Sequence, residues 1–149
     1  MASIEPTADP RAPLYLVAMV GGQRIAWEST SIREIVTPRA VTRLPGAPTW
    51  VLGLLNLRGT VLTVVDLASR LGLEPQGIGS VVVLDVDGRS LGVRVDAVRA
   101  VATAADAVVE SVDAARAAGG LVAGMVRMAE GPAALIDAVA LCRSVLATV

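Results

Sequence analysis

Short apolar runs that end in glycine-bearing turns recur along this chain, and that rhythm constrains its fold more than any other feature. The run 14–20 meets Gly21-Gly22 and returns as 23–27, and the run 80–86 meets Asp87-Gly88 and returns as 89–95. Such two-residue turns between apolar runs are the strongest local hairpin signal, because the turn needs positive φ and glycine supplies it without a steric penalty. A third pair, 49–57 and 60–65, is joined by Arg58-Gly59, and a fourth, 121–128 and 133–136, surrounds Glu130-Gly131-Pro132. Many short strands at this spacing predict an all-β fold with short helices, built as small barrels or a sandwich.

Helices have little room. Ser29-Thr30-Ser31 offers a cap for one helical turn over 32–35, with Ile32 and Ile35 on one face. Pro38, Pro45 and Pro48 break the next stretch and leave a short strand at 41–44. Asp66 is placed to cap a helix that runs to Leu71 and stops at Gly72. The glycine- and proline-rich segment 74–79 reads as a linker between two β-rich halves that share no exact sequence repeat. The alanine-rich stretch 103–120 holds helical turns, and Asp137 caps a closing helix with Val139, Cys142, Val145 and Leu146 on one face. The polar, proline-punctuated segment 1–13 reads as a flexible tail ahead of a single domain over 14–149.

Bulk properties exclude several functions. A chain of 149 residues suits one domain and buries roughly two-thirds of its unfolded surface. A net charge of −1 gives no field for nucleic acid or anionic lipid, and three aromatic residues are too few to stack single-stranded bases. Hydrophobic residues make up 54 %, yet no unbroken run approaches the ~20 that a membrane span needs. With one cysteine and no signal-peptide core, the expectation is a soluble cytoplasmic protein without direct membrane insertion.

The chain is also poor in reactive groups. It has no histidine, and all 13 basic residues are arginine, so the usual general base and the Schiff-base amine are both missing. Cys142 lies within the closing helix and reads as a buried, inert thiol. Asp66 and Asp137 are explained as caps, and Asp96 has no visible partner group. Asp85-Val86-Asp87-Gly88 lacks the remaining oxygen ligands of a calcium loop. No catalytic residue, metal site or cofactor is expected. What remains suits protein contact, above all a lone arginine at the tip of an apolar hairpin.

Several segments, in order and at matching spacing, resemble the CheW family of chemotaxis coupling proteins over 14–146. They are Ile32-Arg33-Glu34-Ile35-Val36, Val41-Thr42-Arg43-Leu44-Pro45-Gly46-Ala47-Pro48, and the central Gly53-Leu54-Leu55-Asn56-Leu57-Arg58-Gly59 with Val64-Val65-Asp66-Leu67. Leu91-Gly92-Val93-Arg94-Val95-Asp96-Ala97-Val98, Val122-Ala123-Gly124 and Leu135-Ile136-Asp137 complete the set. The resemblance implies two small five-stranded β-barrels of the Src-homology-3 type around a hydrophobic groove. It places the first barrel at 26–76, the second at 14–25 with 80–136, and a closing helix at 137–147.

The same resemblance implies a non-catalytic adaptor. Such an adaptor joins the regulatory domain of the histidine kinase CheA to the cytoplasmic tip of methyl-accepting chemoreceptors. A CheW-like scaffold in a non-motility or pilus-linked pathway is the alternative. Carried over by motif, Ile32, Glu34, Gly53, Arg58 and Val98 are receptor-contact residues, and Leu44 and Val61 are kinase-contact residues. Thr63 stands where the family commonly has proline, and Ala26-Trp27 departs from the usual step after the first hairpin, with Trp27 at a groove edge.

Several residues keep two readings. Arg58 either contacts a partner or pins its own hairpin through Glu34, and the two are compatible. Ile32 and Ile35 are either core or anchor. Gly53 either relieves its own backbone or admits a partner, and Trp50 is either a barrel lid or an interface anchor.

Overall fold

A computed structural model describes residues 14–38, 40–103, 108–111, 120–128 and 130–148. The expected tail at 1–13 and most of the expected helical turns within 103–120 lie outside the described residues. The chain forms β1 (Leu14–Val20), β2 (Gln23–Glu28), a 3-10 turn at Ser29–Ser31, β3 (Ile32–Val36), β4 (Val51–Leu57) and β5 (Thr60–Asp66). Then follow α1 (Leu67–Arg70), β6 (Ser80–Val86), β7 (Arg89–Val95), β8 (Ala97–Thr103), β9 (Val108–Ser111), β10 (Val122–Met128), β11 (Gly131–Ile136) and α2 (Ala138–Thr148).

These strands make two sheets that curl into small barrels. The first has five strands in the order β3-β6-β7-β5-β4, and the second has six, β8-β1-β2-β11-β10-β9. Both follow one plan. In the first, the hairpins β4–β5 and β6–β7 join through a parallel β5–β7 pair. In the second, β1–β2 and β10–β11 join through a parallel β2–β11 pair. The likeness extends to detail. Each of β4 and β10 carries a register shift ahead of a glycine, between Val51 and Gly53 and between Val122 and Gly124. Asp66 N–H donates to Trp50 O, as Asp137 N–H does to Leu121 O, both at 2.8 Å. A helix follows each aspartate.

Three expectations need correction. Residues 80–95 belong to the first sheet, not the second, and all of β2 belongs to the second. The parallel β5–β7 pair that decides this joins segments with no local sequence signal. Residues 32–36 form a strand, not a helical turn, because Ile32, Glu34, Ile35 and Val36 pair along β6. The stretch 41–44 contributes only an isolated bridge, Thr42 to Leu54.

The sheets share one core. Leu16, Val20, Ile25 and Trp27 from the second sheet meet Val82, Leu84, Leu91 and Val93 from the first. Residues of β6 alternate between two buried sites: Val81 and Val83 face the interior of the first barrel, whereas Val82 and Leu84 face the shared core. A strand buried on both faces reads as a continuous apolar run, as 81–84 does. Trp27 is therefore no groove edge; it is fully buried at the centre of the shared core. Trp50 packs partly against this core and stacks under Arg70, whose Cζ lies 5.2 Å from the ring centroid.

The closing helix is capped as expected, with Ala140 N–H donating to Asp137 Oδ1 at 3.0 Å. Its buried face is Ala138, Leu141, Cys142 and Val145, so Leu141 takes the place expected for Val139. Burial, with smaller effects from Asp85 and Asp87, pushes the Cys142 thiol up to about 11. Above about pH 9 the unfolded chain loses this proton while the folded chain keeps it, so stability falls as pH rises from about 9 to about 11. Chemical denaturation across that range is expected to show the decline, and Cys142→Ala to remove the part that begins near pH 9.

Candidate functional site

Leu57 pairs with Thr60, which leaves Arg58 and Gly59 as a two-residue loop. Both have positive φ, 51° and 83°, as a type I′ turn requires. Asn56 Oδ1 accepts the Gly59 N–H at 3.0 Å and tightens the turn. In the β1–β2 and β6–β7 hairpins the first loop position is Gly21 and Asp87, both with φ 54°. Arginine has no short polar arm to offset the clash of its Cβ with its own carbonyl, so Arg58 occupies a strained position.

Packing does not hold it there, since its side chain is 63 % exposed. Instead, Arg58 Nη2 donates to Glu34 Oε2. Glu34 sits on β3 with its side chain largely sheltered, and Arg33 Nε lies 3.8 Å from the same oxygen. β3 and β4 are opposite edges of the first sheet, so this ion pair ties one edge to the hairpin tip of the other. The hydrogen bond to Glu34 holds the Arg58 pKa above its ordinary value, and the group stays charged. Among the described residues only Glu34 is hydrogen-bonded to Arg58, so further N–H donors of its guanidinium face solvent.

Gly53 is explained by its own chain. It has φ 144°, and a Cβ there would lie 2.2 Å from Thr42 O. Thr42 and Leu54 exchange backbone hydrogen bonds of 2.8 and 2.7 Å across this close approach. The glycine thus lets the 42–43 segment cover β4, and the space considered for a partner is already filled.

The remaining residues divide between the sheets. Ile32 on β3 and Val98 on β8 are both half-buried and pack against the margin of the shared core, one from each sheet. Leu44 packs against the same core. Val61, opposite Asn56 on the Arg58 hairpin, is 60 % exposed. Ile35 is 44 % exposed, which makes it a surface residue that the helical reading had placed toward the core. Strand alternation from half-buried Glu34 is the signal that identifies it. Arg58, Glu34, Ile35 and Val61 all belong to the first barrel, and a charged tip with apolar neighbours suits recognition.

Two small barrels that share one core, with Arg58 held by Glu34 at a hairpin tip of the first, define the fold and its candidate site. The chain belongs to the family described as CheW-like domain, whose model matches residues 14–146. It is 35% identical over 94 residues to the probable chemotaxis protein CheW of Rhizobium etli, covering 61% of each chain. It is 40% identical over 90 residues to the chemotaxis protein CheW of Rhizobium meliloti, covering 58% of each. The matched region thus spans about three-fifths of these relatives' length. The fold is that of the scaffolding protein TtCheW from Thermoanaerobacter tengcongensis, with a TM-score of 0.77 over 91% of both chains at 20% identity.

Three substitutions separate backbone from recognition. Gly53→Ala is expected to destabilise by about 2–4 kcal/mol, combining positive-φ strain with a backbone clash. Gly59→Ala meets no atom within 4 Å and is expected to cost only about 1 kcal/mol, from strain alone. Urea denaturation of the two variants measures the difference. Arg58→Asn keeps a residue that tolerates the turn, so its Tm is expected to equal or exceed that of the parent chain.

Proposed function

We propose that this chain is a non-catalytic adaptor of bacterial chemosensory signalling that works in the cytoplasm. It joins a histidine kinase, through the regulatory domain of that kinase, to the cytoplasmic tip of methyl-accepting chemoreceptors. Family membership supports this reading, and one observation carries it: Arg58 is held in a strained turn, exposed, and aimed by Glu34. Strain that a glycine would relieve persists where another use of the side chain favours it.

In this reading a receptor helix lies against the margin between the barrels. Ile32 and Val98 supply apolar contact, and Arg58 fixes register by hydrogen bonds to carboxylates or carbonyls. Glu34 orients Arg58 and Gly53 keeps the supporting backbone in place. Leu44 and Val61 belong to the kinase contact, and exposed Ile35 joins the recognition surface. No ligand chemistry is needed, because the adaptor acts by holding two partners in register over the domain 14–149.

Co-sedimentation of the chain with the organism's own kinase and receptor tip fragments, separately and together, tests this. The wild type is expected to bind each partner and to raise kinase activity when both are present. Arg58→Ala and Glu34→Ala are expected to weaken receptor binding about tenfold or more, as truncation at an interface centre does. Normal binding of both partners by both variants would remove Arg58 from the interface. Failure of the wild type to bind either partner would overturn the adaptor reading.

A further inference from the structure

Arg94, near the end of β7, is a buried guanidinium that the recognition surface leaves unused, its side chain only 11 % exposed. Arg94 Nε donates to Ile78 O at 3.1 Å. Its Nη1 donates to Asp66 Oδ1 at 3.0 Å and Asp96 Oδ1 at 2.9 Å, and its Nη2 to Gln76 O at 3.0 Å and Gly77 O at 2.6 Å. Arginine has five N–H donors, so these five acceptors use its full capacity. The segment 74–79, a linker by composition, is thereby clipped at three successive carbonyls.

The cluster reaches across to the other sheet. Asp96 Oδ1 also accepts the Gln76 N–H at 3.0 Å, and Asp96 Oδ2 accepts the Gly21 N–H at 2.7 Å. The Asp96 backbone N–H donates to Met19 O at 2.8 Å. Gly21 lies in the β1–β2 turn, and a Cβ there would stand 2.4 Å from Leu73 Cβ. The turn of one sheet and the loop of the other are therefore in direct contact, with Arg94 and Asp96 fastening the seam.

The repeated plan of the two barrels shows that building a barrel does not require this fastening. Asp137 caps its helix through the Ala140 N–H. The corresponding Asp66 makes no such cap bond; its Oδ2 accepts the Ser69 hydroxyl at 2.7 Å and its Oδ1 accepts Arg94. The first barrel departs from the common plan at the cluster that reaches the second. Buried ion clusters add little net stability, and their best-attested use is to fix register.

We propose that Arg94 is a positioning residue that locks the angle between the two barrels, and with it the relative placement of the partners the adaptor couples. The second clause rests on the adaptor reading above. Lysine keeps the charge but presents it as a point, so it cannot hold two carboxylates and three carbonyls at once.

The test uses the full chain with Arg94→Lys and, separately, Asp96→Asn, which leaves the Arg94–Asp66 pair and replaces the two charged oxygens that hold Gly21, Gln76 and Arg94 by one neutral oxygen. The Gly21 and Gln76 N–H groups both donate to the Asp96 carboxylate, and their exchange is expected to quicken about tenfold or more in both variants: Asp96→Asn removes the charged acceptor, and Arg94→Lys removes the fork that holds it in place. Exchange at Leu55 and Leu62, inside the first barrel, is expected to stay within about twofold. Kinase activation in the three-component mixture is expected to fall about fivefold or more, with binding to either partner alone within about twofold. Should Arg94→Lys fail to fold, Asp96→Asn gives the same readings. The lock is overturned by unchanged exchange at Gly21 and Gln76, or by binary affinities that fall in step with activation. If the wild type binds neither partner, the adaptor reading fails while the exchange result still decides the lock.

Discussion

The shared apolar core is the constraint on which the rest of the structure depends. A barrel of five or six short strands has a small interior: among the described residues, the first encloses Leu55, Leu57, Leu62, Val64, Val81 and Val83, and the second Tyr15, Ala26, Val126 and Ala133. Each barrel therefore turns a second apolar face toward the other. Trp27, the largest buried side chain, fills the space where these faces meet, and α2 closes it with Leu141, Cys142 and Val145. The near absence of aromatic residues follows from this design. Strands buried on both faces need compact side chains that pack at sheet spacing, and valine, leucine and alanine meet that need.

Apolar burial holds two barrels together without fixing how they lie, because the hydrophobic effect has no direction. Direction comes from the polar seam. Arg94, Asp66 and Asp96 combine charge with fixed hydrogen-bond angles, and Gly21 removes the slack by allowing contact with Leu73. The two kinds of interaction thus divide the work. The core supplies cohesion, and the seam supplies orientation at a small net gain in stability.

What the sequence made legible follows the range of the interactions involved. Hairpins are local, so Gly21-Gly22, Arg58-Gly59 and Asp87-Gly88 announced their turns, and Asp137 announced its helix. The ion pair between Arg58 and Glu34 could be anticipated because both residues fall in matched motifs. The β5–β7 pairing could not, since parallel neighbours are set by packing rather than by a turn. Residues 32–36 misled for a different reason: Ile32 and Ile35 stand three apart, a spacing that mimics one helical face, although along the strand one is half-buried and the other exposed. Arg94 was hidden among thirteen arginines, and its acceptors are mostly backbone carbonyls of a segment that composition marks as loose. The common plan of the barrels left one trace, Val-x-Gly followed by a strand ending in Val-Asp or Ile-Asp, too short to register as a repeat.

That common plan also puts corresponding turns to different uses. In the second barrel, Met128 pairs with Gly131 across the β10–β11 turn, and the carbonyl of the turn residue Glu130 accepts Arg24 Nη1 from its own sheet. In the first, the equivalent turn is Arg58-Gly59, where an arginine accepts strain to point outward. Glu34 holds it from β3, the strand beside β6, a place that β8 takes beside β1 in the other sheet. One copy of the plan thus ties its turn to its own sheet, and the other displays a charged side chain. In the proposed adaptor, a contact made at Arg58 has a fixed direction only if the second barrel is held at a fixed angle to the first. On that proposal the strained tip at Arg58 and the buried lock at Arg94 are two parts of a single device: one meets a partner, and the other gives that meeting a direction.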